Sequence, residues 1–160
     1  MKKKYSICVI GLGYVGLPLF FSFNEKKFKV IGFDHNKKLI NDLKKNKSHI
    51  EDISKDDFLL LDKKNILFTS NYKEIAKADV IIICVPTPIH DDKTPDNSYL
   101  NSVANILSKI DLKGKIIINE STTYPGATKE IFGTLLLKQK LIIGKNCYLA
   151  FSPERLQIQV

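Results

Sequence analysis

The stretch Ser6-Ile-Cys-Val-Ile10-Gly11-Leu-Gly13-Tyr14-Val15-Gly16 decides how the rest of the chain is read. With Tyr5, its first half is apolar apart from Ser6 and reads as a buried strand. Glycines then follow in the spacing G-x-G-x-x-G, and a helix is expected over about 14–26. Gly11 makes the tight turn out of the strand, Gly13 lets backbone approach a pyrophosphate, and Gly16 lets helix pack closely on sheet. The start of that helix, at Tyr14 and Val15, offers unpaired N–H groups and a partial positive charge to the phosphates. A second strand is expected at 28–34, ending on Asp34, 18 residues beyond Gly16. A carboxylate there takes both ribose hydroxyls and repels a 2′-phosphate, so the unit favours NAD over NADP. Lys38, one helical turn on, is a candidate for the ribose or a phosphate, and equally a solvated surface lysine.

Outward from this unit, apolar runs keep alternating with amphipathic ones. Further strands are expected at 65–69, 80–85, 115–119 and 146–151. Helices are expected at 35–46, around 56–62, at 72–77, at 99–110, and from Pro125 or Gly126 to about 138. Asn97 or Ser98 is the candidate cap of the 99–110 helix, whose apolar stripe is Val103, Ile106, Leu107 and Ile110. Six strands alternating with helices specify an α/β fold with a Rossmann-type doubly wound parallel sheet. Right-handed crossovers then give the strand order 3-2-1-4-5-6, with ligands beyond the carboxyl ends of the strands. The one long loop, 86–97, leaves strand four at that end.

The bulk numbers narrow the class. A chain of 160 residues with 44% hydrophobic and 26% charged residues is one ordinary globular domain. No apolar run reaches the length of a membrane span. The N-terminus imitates a secretory leader, but glycines and a proline interrupt it where a phosphate loop needs them. Cys8, Cys84 and Cys147 lie in apolar runs without metal-ligand spacing and read as core residues of a reducing cytoplasm. The net charge of +8 raises nucleic acid as a partner, yet of 25 basic residues all but Arg155 are lysine, scattered and without aromatic interleaving. That composition fits a solvated surface better than base readout.

Three loops beyond strand ends carry the rest. In Val85-Pro86-Thr87-Pro88, two prolines stiffen the exit from strand four. In Glu120-Ser121-Thr122-Thr123-Tyr124-Pro125-Gly126, the hydroxyls either cap the next helix or bond a water or sugar. In Ser152-Pro153-Glu154-Arg155, a glutamate at a strand end is either a general base holding a water or half of an exposed ion pair. Taken in order, IGLGYVGLPL, CVPTP with a following PD, ESTTYPG and SPER resemble the UDP-glucose/GDP-mannose dehydrogenase family, across its N-terminal NAD-binding domain. The segment 47–53, with the last two motifs, is most similar to the branch acting on UDP-N-acetylhexosamines.

The resemblance implies an NAD-dependent double oxidation at sugar C6, from alcohol to carboxylate, for surface polysaccharide precursors. It implies a cysteine in a later domain that forms a thiohemiacetal, then a thioester that is hydrolysed. Thr122 and Glu154 are the catalytic threonine and glutamate that it implies. By the same resemblance, Pro86, Thr87, Ser121 and Thr122 would line the cofactor, and Glu154 and Arg155 would lie nearest the UDP-sugar. A linking helix and a UDP-sugar-binding domain are expected outside this chain, as is homo-oligomerisation of the full-length enzyme; no metal, nucleic acid or membrane is expected. Leu39 departs from the family pattern in replacing a basic residue, Phe20 and Phe21 in replacing small ones, and Leu-Gln-Ile-Gln-Val in replacing a Pro-Gly segment after Arg155. Two other readings stand beside this one: a non-catalytic NAD-sensing module, and the first domain of an NAD-dependent hydroxyacid dehydrogenase.

Overall fold

Strand β1 (Ser6–Ile10) pairs in parallel with β2 (Lys29–Phe33) on one side and β4 (Val80–Ile83) on the other. The computed structural model that shows this describes residues 5–89 and 94–152. Beyond β2 lies β3 (Ile66–Thr69); beyond β4 lie β5 (Ile116–Asn119) and β6 (Tyr148–Phe151). Every pairing is parallel and the order is 3-2-1-4-5-6, so strand order reverses between β1 and β4. That is the expected sheet, with somewhat shorter strands: β4 stops at Ile83, which leaves Cys84 and Val85 in the turn above it.

The helices are α1 (Gly16–Glu25), α2 (Lys37–Lys44), α3 (Lys55–Leu60), α4 (Ser98–Leu107) and α5 (Thr134–Lys138). Two segments differ from ordinary helix. Tyr72–Lys77 winds as a 3₁₀ helix, and Lys129–Gly133 forms a π-helical turn leading into α5. Asn36 caps α2 by accepting from the Lys38 and Leu39 N–H groups, and Ser54 and Asp57 close a capping box on α3. Asn97 occupies the cap of α4 but makes no side-chain bond to it; Asp96 accepts the Ser98 N–H at 2.8 Å instead.

Successive strand residues point to opposite faces, so the sheet has two cores. Ile7, Val9, Val30 and Ile82 meet α1, α2 and Phe58 of α3 on one face. Cys8, Ile10, Ile81 and Ile117 meet α4, the π turn and α5 on the other. All three cysteines are free and buried. Burial pushes the thiols of Cys8 and Cys147 above their ordinary range. Two layers of helix over buried parallel strands hold the carboxyl ends of β1, β4 and β5 at one rim.

Phe20, large for its place in the family pattern, fits because of Gly32 on β2. A Cβ at Gly32 would lie 3.1 Å from the Phe20 ring and 3.1 Å from Leu12. The fully buried ring stacks on Phe68 at 4.4 Å between centroids, and Phe21 meets Phe58 edge-on at 5.1 Å. The missing side chain on the strand is thus filled by the ring on the helix. Gly32→Ala is expected to destabilise the fold by about 1–3 kcal/mol through overpacking. In urea unfolding, Phe20→Leu should recover part of that loss in the double variant; simple additivity of the two costs would contradict the packing account.

Candidate functional site

Three backbones converge where the strand order reverses. Gly11 leaves β1 with φ +88, its N–H donating to the Phe33 carbonyl at 2.9 Å. A Cβ on Gly11 would sit 2.6 Å from the Cys84 carbonyl oxygen, and one on Gly16 only 1.9 Å from the Gly11 carbonyl oxygen. Gly13 is different, since nothing lies within 4 Å of where its Cβ would be. The space there is open, as an approaching phosphate requires. At the start of α1, Val15 supplies no side-chain cap, and the first turn has no acidic residue. The Leu17 N–H donates to the Gly13 carbonyl at 3.0 Å and Pro18 carries no N–H, so the groups this helix start offers to an outside acceptor are the N–H groups of Tyr14, Val15 and Gly16, and the helix end favours an anion.

Asp34 sits just past β2, 9% exposed. Its Oδ2 accepts the Leu12 N–H at 3.0 Å and its Oδ1 the Asn36 N–H at 2.9 Å, which fixes the carboxylate's orientation. Each oxygen keeps acceptor capacity for a further hydroxyl. His35 Nδ1 stands 3.4 Å from Oδ1.

Two clefts open on either side of the glycine loop and share Gly13, Cys84, Val85 and Pro86. The first, about 500 Å³, runs from Gly11 past Asp34 and His35 to Tyr99 and Val103 of α4. The second, about 610 Å³, is walled by Tyr14, Val15, Thr87, Glu120, Ser121 and Thr122. Within it the Ser121 hydroxyl, 5% exposed, accepts the Val85 N–H at 3.0 Å. The Thr87 hydroxyl donates to the Thr122 carbonyl, while Thr122 itself is exposed. Next to this cleft the Tyr124 hydroxyl donates to Glu130 at 2.6 Å, and that bond raises the phenol's pKa above its ordinary value.

The sequence-derived residues therefore gather as two groups: Gly11 and Asp34 at one cleft, and Tyr14, Val15, Thr87, Ser121 and Thr122 at the other, with Gly13 and Pro86 common to both and Gly16 beneath. Lys38 is exposed and does not line the first cleft, whereas Leu39 does. Glu154 and Arg155 lie outside the described residues. Sequence reasoning missed His35, the α4 wall at Tyr99 and Val103, and Glu120 as cleft residues. Among the described residues no group of three or more His, Cys, Asp or Glu is placed to hold a metal ion, and no helix is long and apolar enough to cross a membrane.

A doubly wound sheet, an open glycine loop at an uncapped helix start, and an oriented carboxylate at the next strand end define a dinucleotide-binding domain of the dehydrogenase kind. The model of the NAD binding domain of the UDP-glucose/GDP-mannose dehydrogenase family matches residues 5–158, and the chain belongs to that family. It is 41% identical to Protein CapL of Staphylococcus aureus over 152 residues, which cover 94% of this chain and 35% of that protein. It is 37% identical to the UDP-N-acetyl-D-glucosamine 6-dehydrogenase of Pseudomonas aeruginosa, covering 96% of this chain and 36% of that one. The solved UDP-D-ManNAc dehydrogenase of Pyrococcus horikoshii matches with a TM-score of 0.87 at 31% identity, over 95% of this chain and 37% of that chain. The chain thus spans about a third of the length of the relatives it matches.

The open space at Gly13 and the closed space at Gly16 make opposite predictions. Gly13→Ala should melt like the parent yet bind NAD at least about tenfold more weakly, since the methyl occupies the phosphate approach. Gly16→Ala should lose thermal stability outright. Unaltered NAD affinity in Gly13→Ala, read by calorimetric titration, would remove the pyrophosphate from this loop.

Proposed function

We propose that this chain is the cofactor-binding part of a nucleotide-sugar 6-dehydrogenase that oxidises the C6 alcohol of a UDP-N-acetylhexosamine to the carboxylate. The observation that carries it is the second cleft, where the exposed Thr122 and the half-buried Glu120 stand beside the glycine loop. Support for the substrate class comes from the relatives' names, which include UDP-N-acetyl-D-glucosamine 6-dehydrogenase and UDP-N-acetyl-D-mannosamine dehydrogenase.

NAD, when bound, supplies the hydride acceptor for both oxidations. The residues present fit it: Asp34 holds the adenosine ribose, the loop Gly11–Gly16 and the α1 start hold the pyrophosphate, and Pro86, Thr87, Ser121 and Thr122 flank the nicotinamide. In this reading Thr122 supplies the hydroxyl that holds a water or orients the substrate oxygen, with Glu154 as its partner in proton transfer and Arg155 beside the substrate. A linking helix and a sugar-binding domain complete the enzyme and bring the reactive thiol. The three thiols here are buried, and burial holds those of Cys8 and Cys147 in their protonated form. Leu137, Ile142, Ile143, Tyr148 and Phe151 are exposed along the β6 side and give such added domains an apolar surface to cover. We place the full-length enzyme in the cytoplasm as a homo-oligomer that supplies surface-polysaccharide precursors, with no nucleic-acid partner.

Calorimetric titration of the 160-residue chain should show NAD binding, and binding of NADP weaker or undetectable. The chain alone should reduce no NAD with UDP-N-acetylglucosamine or UDP-N-acetylmannosamine, whereas the domain joined to its sugar-binding part should. Absence of NAD binding at millimolar cofactor overturns the cofactor assignment. Turnover by the chain alone, abolished by Cys84→Ser, overturns the assignment of the thiol to another domain.

A further inference from the structure

Asn119 ends β5, an otherwise aliphatic strand, and is fully buried. The turn leaving β5, the start of the helix that follows it and the exit of β6 meet on it. Its Oδ1 accepts the Ser121 N–H at 3.2 Å, and its Nδ2 donates to Thr128 Oγ1 at 2.9 Å. Its backbone carbonyl accepts the N–H of Ser152, just past β6, at 2.9 Å. Ser121 passes the connection on, because its hydroxyl accepts the Val85 N–H at the exit of β4.

The chain Thr128–Asn119–Ser121–Val85 therefore runs from the residue before the π turn, across the end of β5, to the wall shared by both clefts. The side-chain donors and acceptors along it belong to residues at most 9% exposed: Thr128 9%, Asn119 0%, Ser121 5%. Such groups have little access to water, so a lost bond is not readily replaced. The other end of the same turn is pinned separately, by the Thr87 hydroxyl on the Thr122 carbonyl.

We propose that Asn119 is a positioning residue for the nicotinamide end of the cofactor cleft. Resting on the NAD-binding reading, this assigns to one buried amide the register of the Ser121–Thr122 turn against Val85 and Pro86. Neither Asn119 nor Thr128 lines either cleft, so the action passes through Ser121. The adenosine end, built on Asp34 and α4, shares no residue with this chain of bonds except Val85. Its affinity is therefore expected to be insensitive to Asn119.

The test compares NAD with ADP-ribose, which lacks the nicotinamide, on the parent chain, Thr128→Val, Thr128→Ser and Asn119→Leu. Thr128→Val keeps the shape and removes the acceptor; Thr128→Ser keeps the hydroxyl. Thr128→Val should weaken NAD by roughly three- to tenfold, the scale of one lost hydrogen bond, and leave ADP-ribose within about twofold. Thr128→Ser should bind both like the parent. Without any ligand, amide hydrogen exchange at Ser121 and Thr122 should quicken in Thr128→Val and not in Thr128→Ser. Equal losses for NAD and ADP-ribose, or no loss of either in both Thr128→Val and Asn119→Leu, overturn the proposal. If the parent chain binds neither ligand, the NAD reading fails, and unchanged exchange at Ser121 in Thr128→Val then overturns the positioning role independently.

Discussion

The first turn of α1 lies against the Gly11 carbonyl with no room for a methyl group, and Gly11 likewise leaves no room for one against the Cys84 carbonyl. This contact of three backbones is the constraint from which the site follows. It lets the start of α1 reach the point where β1 and β4 part company, instead of standing off by the width of a side chain. Gly13, common to both clefts, then stands just before that turn at their junction, where the NAD reading puts the pyrophosphate. Van der Waals exclusion between main chains sets this arrangement, and side-chain attraction adds to it.

The sheet was legible because its information is local and periodic. Continuous aliphatic runs such as Val80–Ile83 have few uses other than a strand covered on both faces, and right-handed crossovers leave little freedom in their order. What was not legible lies in how backbone bonds are shared out. Six residues such as Tyr72–Lys77 carry too little pattern to separate a 3₁₀ helix from an α-helix. The π turn at Lys129–Gly133 gives no apolar period of its own. At α4, Asp96, Asn97 and Ser98 all suit a cap, and the loop geometry chose Asp96 to accept the Ser98 N–H.

The site divides along a similar line. The motif residues that touch open space were legible, because glycine spacing, proline exits and a strand-end carboxylate each have a narrow physical use. Residues that the crossovers bring in were not: Tyr99 and Val103 face the first cleft only because α4 returns over β4. Lys38 and Leu39 are adjacent in sequence, yet the turn of α2 leaves the lysine exposed and sets the leucine at the cleft. Asn119 read as the last residue of a strand, and nothing in KIIIN distinguishes a buried hub from a frayed end. Its partners, Ser121 and Thr128, lie two and nine residues on, and only the fold gives that spacing a meaning.

Asp34 shows how cofactor choice and fold are joined. The carboxylate that we propose takes the ribose hydroxyls also holds the Leu12 N–H, so on that reading one group meets the cofactor and ties the glycine loop to the end of β2. Replacing it with a neutral or basic residue to admit a 2′-phosphate removes the repulsion and the tie together. The buried Leu12 N–H then loses its acceptor, and an unsatisfied buried donor costs on the order of 1–3 kcal/mol. The gain from a new phosphate contact has to exceed that cost before any preference for NADP appears. A second substitution able to accept from Leu12, or a local rebuilding of residues 35–36, is needed alongside the first. The proposed preference for NAD is in this way protected by the geometry of the loop as well as by the charge at its edge.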